Sequence, residues 1–163
     1  MLLLLLVYPS HSGIASFENN APQDITPDNF LIESTIDVAG LKTSLSSNAV
    51  ITLQLWFTHP SNEEIAIFLY GPESYVLISN RRGGRNANVF NGTLFTDSAP
   101  DSVVAYSYSN NTVDTLRPEQ PLSSFIDKNP NGQWKLWMYG EYKGNGSLNK
   151  FTLNIQGKIT NNQ

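Results

Sequence analysis

The stretch Ile51-Thr52-Leu53-Gln54-Leu55-Trp56-Phe57-Thr58 sets Ile51, Leu53, Leu55 and Phe57 against Thr52, Gln54, Trp56 and Thr58. Successive side chains of an extended chain point to opposite faces, so a period of two describes a strand with one face in a core. The same period recurs upstream, where Ile32, Ser34, Ile36 and Val38 alternate with Glu33, Thr35 and Asp37. It returns near the C-terminus: Trp134, Leu136 and Met138 alternate with Lys135, Trp137 and Tyr139, and Phe151, Leu153 and Ile155 with Lys150, Thr152 and Asn154. Glu64 to Tyr70 is apolar on both faces, which predicts a central strand covered on both sides and ended by Gly71-Pro72. Tyr75 to Ile78 follows as its hairpin partner.

No window carries a sustained helical i, i+3, i+4 pattern, and Pro and Gly recur at the boundaries, so the chain is expected to be all-β, a two-sheet antiparallel sandwich. Periodicity alone leaves a jelly roll and an immunoglobulin-like order both open. With 163 residues and 40% hydrophobic content, one core suffices. The net charge is -4 with only 10 Lys plus Arg, which supplies no basic footprint for nucleic acid. The chain has no Cys, so disulfides and thiolate metal sites are excluded.

Met1 to Pro9 opens with an apolar run too short to span a bilayer and suited to the core of a signal peptide. Gly13 and Ala15 supply the small residues for cleavage after Ala15, giving a leader over residues 1–15 and an extracellular destination. Residues 16–23 then form a loose N-terminal extension, 24–160 the sandwich and 161–163 a tail. No other segment approaches a membrane span. Asn-x-Ser/Thr tripeptides at Asn91, Asn110 and Asn145 lie in polar loop contexts and are candidate glycosylation sites.

From about Asp24 to Ile159 a series of landmarks follows in order. Ile25-Thr26-Pro27-Asp28 precedes the first strand; Ser34-Thr35-Ile36, Ile51-Thr52-Leu53 and Glu64-Ile65-Ala66-Ile67-Phe68-Leu69 come next, and Gly71-Pro72 makes a turn. Leu77-Ile78-Ser79-Asn80-Arg81-Arg82-Gly83-Gly84 leads to Phe95-Thr96-Asp97-Ser98-Ala99. Arg117-Pro118-Glu119-Gln120-Pro121-Leu122-Ser123-Ser124-Phe125, Asn131-Gly132-Gln133-Trp134-Lys135-Leu136 and Gly146-Ser147-Leu148-Asn149-Lys150-Phe151 complete the set. In these residues the chain resembles the P-domain (P/Homo B domain) that follows the catalytic domain of kexin- and furin-like proprotein convertases. The resemblance implies a jelly-roll sandwich and an accessory role: such domains pack on a subtilisin-like catalytic domain, stabilise it and tune its response to calcium and pH. The catalytic triad belongs to that other domain.

The residues themselves agree that chemistry is sparse. His59 is the only histidine beyond the expected leader and has no nucleophile-elbow sequence beside it, so no catalytic residue is assigned and His59 is read as structural. Calcium is the one ion to weigh, with Glu64 and Asp97 at acidic positions of the family; the glycine-rich Gly140 to Gly146 segment supplies few further oxygens. No cofactor is required. Arg81-Arg82-Gly83-Gly84-Arg85 is read as a solvated turn rather than a processing site, and Arg117 as an anchor for carbonyls. Trp56, Trp137 and Tyr139 oppose their strands' apolar sets and are the candidate docking residues, beneath covering loops in the blander alternative.

The expected function is thus a non-catalytic module associated with a secreted subtilisin-like serine endopeptidase. One alternative is a carbohydrate- or surface-binding sandwich using the same aromatics. Another is a truncated C-terminal part of a serine endopeptidase.

Overall fold

The computed structural model describes residues 12–29, 31–140 and 144–158. Ten strands occur among them: β1 (Ser12–Asn19), β2 (Gln23–Ile25), β3 (Leu31–Val38), β4 (Val50–Thr58), β5 (Ile65–Tyr70), β6 (Tyr75–Asn80), β7 (Asn91–Thr96), β8 (Thr115–Leu116), β9 (Gly132–Gly140) and β10 (Gly146–Lys158). They form a β-sandwich. One sheet runs β1-β10-β4-β7-β8, with β2 also paired to β10, and the other runs β3-β9-β5-β6. Every pairing is antiparallel except the short β7–β8 contact.

The alternation seen in the sequence sets the layers. Ile51, Leu53, Leu55 and Phe57 of β4 and Phe151, Leu153 and Ile155 of β10 meet Trp134, Leu136 and Met138 of β9 and Ile65, Ile67 and Leu69 of β5, all buried. Each such side chain contributes about 1.5–3 kcal/mol on removal from water. Leu148 also points inward although it stands an odd number of residues from Phe151. A bulge between Leu148 and Lys150 absorbs the extra residue and restores the phase.

Two expectations change. Ser16 to Asn19, expected as a loose extension, belong to β1, which runs the length of β10 from Ser12↔Lys158 to Asn19↔Phe151. The long β10 offers a row of backbone donors and acceptors that β1 satisfies, although none of the described β1 side chains is buried. Residues 12–15 of the expected leader lie in that strand; residues 1–11 and the expected tail 161–163 lie outside the described residues. The second change concerns β5, whose second face carries Phe68 and Tyr70, both only partly buried. That face is the outside of the four-stranded sheet, and among the described residues no second core lies above it.

Both edges of the four-stranded sheet are blunted by side chains. Asn19 Nδ2 donates to the Thr35 carbonyl and Gln23 Nε2 to that of Glu33, closing the β3 edge. On the β6 edge, Leu77 N donates to Gln120 Oε1 and Asn80 N to Glu119 Oε1. Such capping leaves the faces rather than the edges for recognition.

Candidate functional site

The outer face of the four-stranded sheet gathers aromatic rings by register. Phe68 on β5 stands opposite Trp137 on β9 and Leu77 on β6, while Tyr70 stands opposite Tyr75. The Phe68 and Trp137 ring centres are 5.4 Å apart at 63°, and Tyr70 meets Trp137 at 6.3 Å and 82°. Tyr70 and Tyr75 stack at 5.0 Å, and Trp137 and Tyr139 lie 6.0 Å apart and nearly parallel. Tyr75 is 56% exposed and Tyr139 37%, while Phe68, Tyr70 and Trp137 are partly buried.

Charge on this face is acidic. Lys135 is the one Lys or Arg within β3, β5, β6 and β9, and its Nζ is 3.3 Å from Glu33 Oε1. Asp37 projects from the exposed positions of β3, and Glu73 belongs to the turn between Tyr70 and Tyr75. The structure therefore brings Trp137 and Tyr139 together and adds Phe68, Tyr70, Tyr75 and Leu77 to them.

Trp56 is elsewhere. It lies on the outer face of the six-stranded sheet, with Lys150 Nζ 5.0 Å from its ring centre. Lys150 also pairs with Glu18 at 2.7 Å, an exposed contact that lowers the Glu18 carboxyl through its hydrogen bond and charge.

Glu64 and Asp97 are not brought together. Glu64 ends the 3-10 turn Asn62–Glu64 that follows β4, whereas Asp97 follows Thr96, which faces Thr52 near the start of β4. From Thr52 to Thr58 the strand covers about 20 Å. Both Asp97 oxygens are already occupied, accepting the Leu122 and Ser123 N–H groups at 2.8 Å each. Asp97 thus caps the 3-10 turn Leu122–Phe125. These residues do not fit a shared calcium site, which needs 6–8 oxygens around one point. Among the described residues no three His, Cys, Asp or Glu side chains gather to hold a metal.

His59 is 1% exposed. Its Nδ1 faces the Ser61 carbonyl at 2.7 Å and the Ser61 N–H at 3.2 Å, the Phe57 ring stacks nearby, and Nε2 has no hydrogen-bond partner. No hydroxyl nucleophile is engaged by this imidazole. Arg117 Nη1 donates to the Ala99 carbonyl at 3.1 Å, the anchoring role read from the sequence.

Arg82 is more than solvated. Its Nε donates to Glu119 Oε1 at 2.9 Å, with side-chain exposures of 37% and 14%, and this hydrogen bond raises the guanidinium's basicity against the opposing effect of burial. Tyr108 lies beside this pair. Its hydroxyl donates to the Val103 carbonyl at 2.7 Å, and burial pushes the phenol well above its usual range.

Asn91, Asn110 and Asn145 are all exposed and share the end of the sandwich that carries His59. Asn110 Oδ1 accepts the Ala87 N–H, Asn88 N donates to the His59 carbonyl, and Asn91 N donates to that of Asn88. Asn145 adjoins Gly144, which packs on Pro60. The Tyr70–Tyr75 pair and the Glu73 turn lie at the opposite end.

No family model and no curated protein matches the chain. Solved structures resemble it, two of them from one bacterium. The serine protease of Aeromonas sobria is 14% identical, with a TM-score of 0.48 over 93% of this chain and 28% of that chain. The complex of Aeromonas sobria serine protease with its chaperone is 13% identical, with a TM-score of 0.47 over 91% of this chain and 28% of that one. This chain therefore spans under a third of the proteins it matches.

Proposed function

We propose that the chain is a non-catalytic, P-domain-like module that accompanies a secreted subtilisin-like serine endopeptidase and stabilises or regulates it. One observation carries the proposal: residues of the resemblance, scattered along the chain, do the work of holding the sandwich together. Gly71-Pro72 makes the β5–β6 turn, with Gly71 N donating to the Ser74 carbonyl. Asp97 caps a turn within the Arg117 to Phe125 landmark, Arg117 holds Ala99, and Glu119 holds Arg82. Trp134 fills the core. Landmarks that interlock in space describe a shared architecture better than any one of them in sequence.

Docking uses Trp137 and Tyr139, and the module needs neither a cofactor nor calcium. Export through the N-terminal leader belongs to the same proposal. A cut after Ala15 would leave Ser16 to Asn19 still paired with Asn154 to Phe151. The test is functional: purified chain should leave dibasic peptides intact, and adding it should slow the heat inactivation of the endopeptidase. Hydrolysis by the chain that His59→Ala abolishes would refute the proposal.

A further inference from the structure

We infer that the outer face of the four-stranded sheet, centred on Trp137, Phe68, Tyr70 and Tyr75, docks a folded protein surface that is apolar at its centre and basic at its rim. The inference rests on the proposed accessory role and names the face and the chemistry of the partner.

The centre of the face has the composition of a binding hot spot: Trp and Tyr rings with hydroxyl tips, beside which Lys135, opposite Tyr70, is paired with Glu33, opposite Trp137. Phe68 and Tyr70 meet Trp137 at 63° and 82°. These angled rings make a knobbed surface that partner side chains can interdigitate with, while Trp137 and Tyr139 beside them lie nearly parallel. The rim is acidic. Asp37 lines the β3 side and Glu73 the turn, where its Oε1 also accepts the Asn129 N–H at 3.4 Å, while Glu33 and Lys135 pair and offset each other. Two copies of this chain would bring like charges together, and an anionic membrane would be repelled, so charge complementarity selects a basic partner. The sequons lie at the other end of the sandwich from Tyr70, Tyr75 and Glu73, so glycans there leave this part of the face clear.

The test is titration calorimetry of the full chain against the catalytic domain of the subtilisin-like serine endopeptidase that the proposed function assigns as its partner. Trp137→Ala should weaken binding about 30-fold or more, the size of a hot-spot truncation. Tyr75→Ser, at the most exposed ring, should weaken it about tenfold without disturbing the core. Asp37→Lys with Glu73→Lys should slow association and reverse its salt dependence, so that added salt speeds it. Trp56→Ala, on the opposite sheet, should leave affinity unchanged. Binding that survives Trp137→Ala and Tyr75→Ser would overturn the inference and spare the accessory role, whereas absence of any binding would remove both. Binding of cellohexaose or chitohexaose lost in Trp137→Ala, or dimerisation lost in the same variant, would give the face to a glycan or to a second copy and also overturn the inference.

Discussion

Trp134 packs its ring against that of Phe125 with centroids 4.6 Å apart, and its indole N–H donates to the Pro130 carbonyl at 2.7 Å. The contact ties β9 to the landmark segment that ends at Phe125, so a strand in the core and a loop outside it are fixed by one side chain. Trp134 is 1% exposed. Trp134→Ala should cost about 3–5 kcal/mol. Lys135→Ala, which loses only a surface ion pair, should cost under about 1 kcal/mol. Chemical denaturation of the two variants checks this, and equal losses would mean that the register of β9 is shifted by one residue.

Asp97 is expected to act as a cap, not as a calcium ligand. Asp97→Ala should lower stability by about 1–2 kcal/mol, because the Leu122 and Ser123 N–H groups lose their acceptors. That loss should be the same in calcium and in chelator. Melting curves of wild type and variant in both buffers read it, since an ion held only by the folded state must raise the midpoint.

The half-buried Tyr108 phenol gives a pH dependence whose sign is fixed. Its folded-state pKa lies above the unfolded value of about 10, so the folded chain keeps a proton that the unfolded chain releases. Stability from this group is complete below about pH 10 and falls as pH rises beyond it. Alkaline titration followed by phenolate absorbance should show one late-titrating tyrosine. Tyr108→Phe should remove it and flatten this part of the stability profile.

The proposed accessory role requires that the folded chain survive its endopeptidase. Arg81 holds a positive φ of 56° and Arg82 is bonded to Glu119, while a Cβ on Gly83 would come within 2.6 Å of Asn62 Cβ. The loop cannot straighten into the extended form that proteases bind without breaking these contacts. Limited proteolysis should leave the folded wild-type chain intact at Arg81-Arg82. Glu119→Ala should make it at least several-fold more susceptible there.

Strands with clean alternation were legible in the sequence: β3, β4, β9 and the second half of β10 fall where large apolar residues recur at every second position, broken only by Ser34 in β3. β1 was not, because Gly13, Ala15 and Ser16 carry little strand preference and owe their conformation to the long edge of β10. β7 begins at Asn91-Gly92, which reads as a turn, and is held by β4. On the candidate site, alternation placed Trp137 and Tyr139 outside the core but could not say that Trp56 belongs to the other sheet. Phe68 and Tyr70 read as buried because two apolar faces look alike whether a second layer covers them or not. Asp97 kept its family position, and only the backbone donors of Leu122 and Ser123 show what its carboxylate does.

The most direct measurement is differential scanning calorimetry of the endopeptidase catalytic domain with and without the chain, at a chain concentration well above the dissociation constant. A ligand that binds only the folded enzyme raises its stability by mass action. The expected result is an upward shift of about 5 °C or more in the enzyme's transition, reduced by Trp137→Ala and unaffected by Trp56→Ala. An enzyme transition that does not move at any chain concentration would contradict the accessory role.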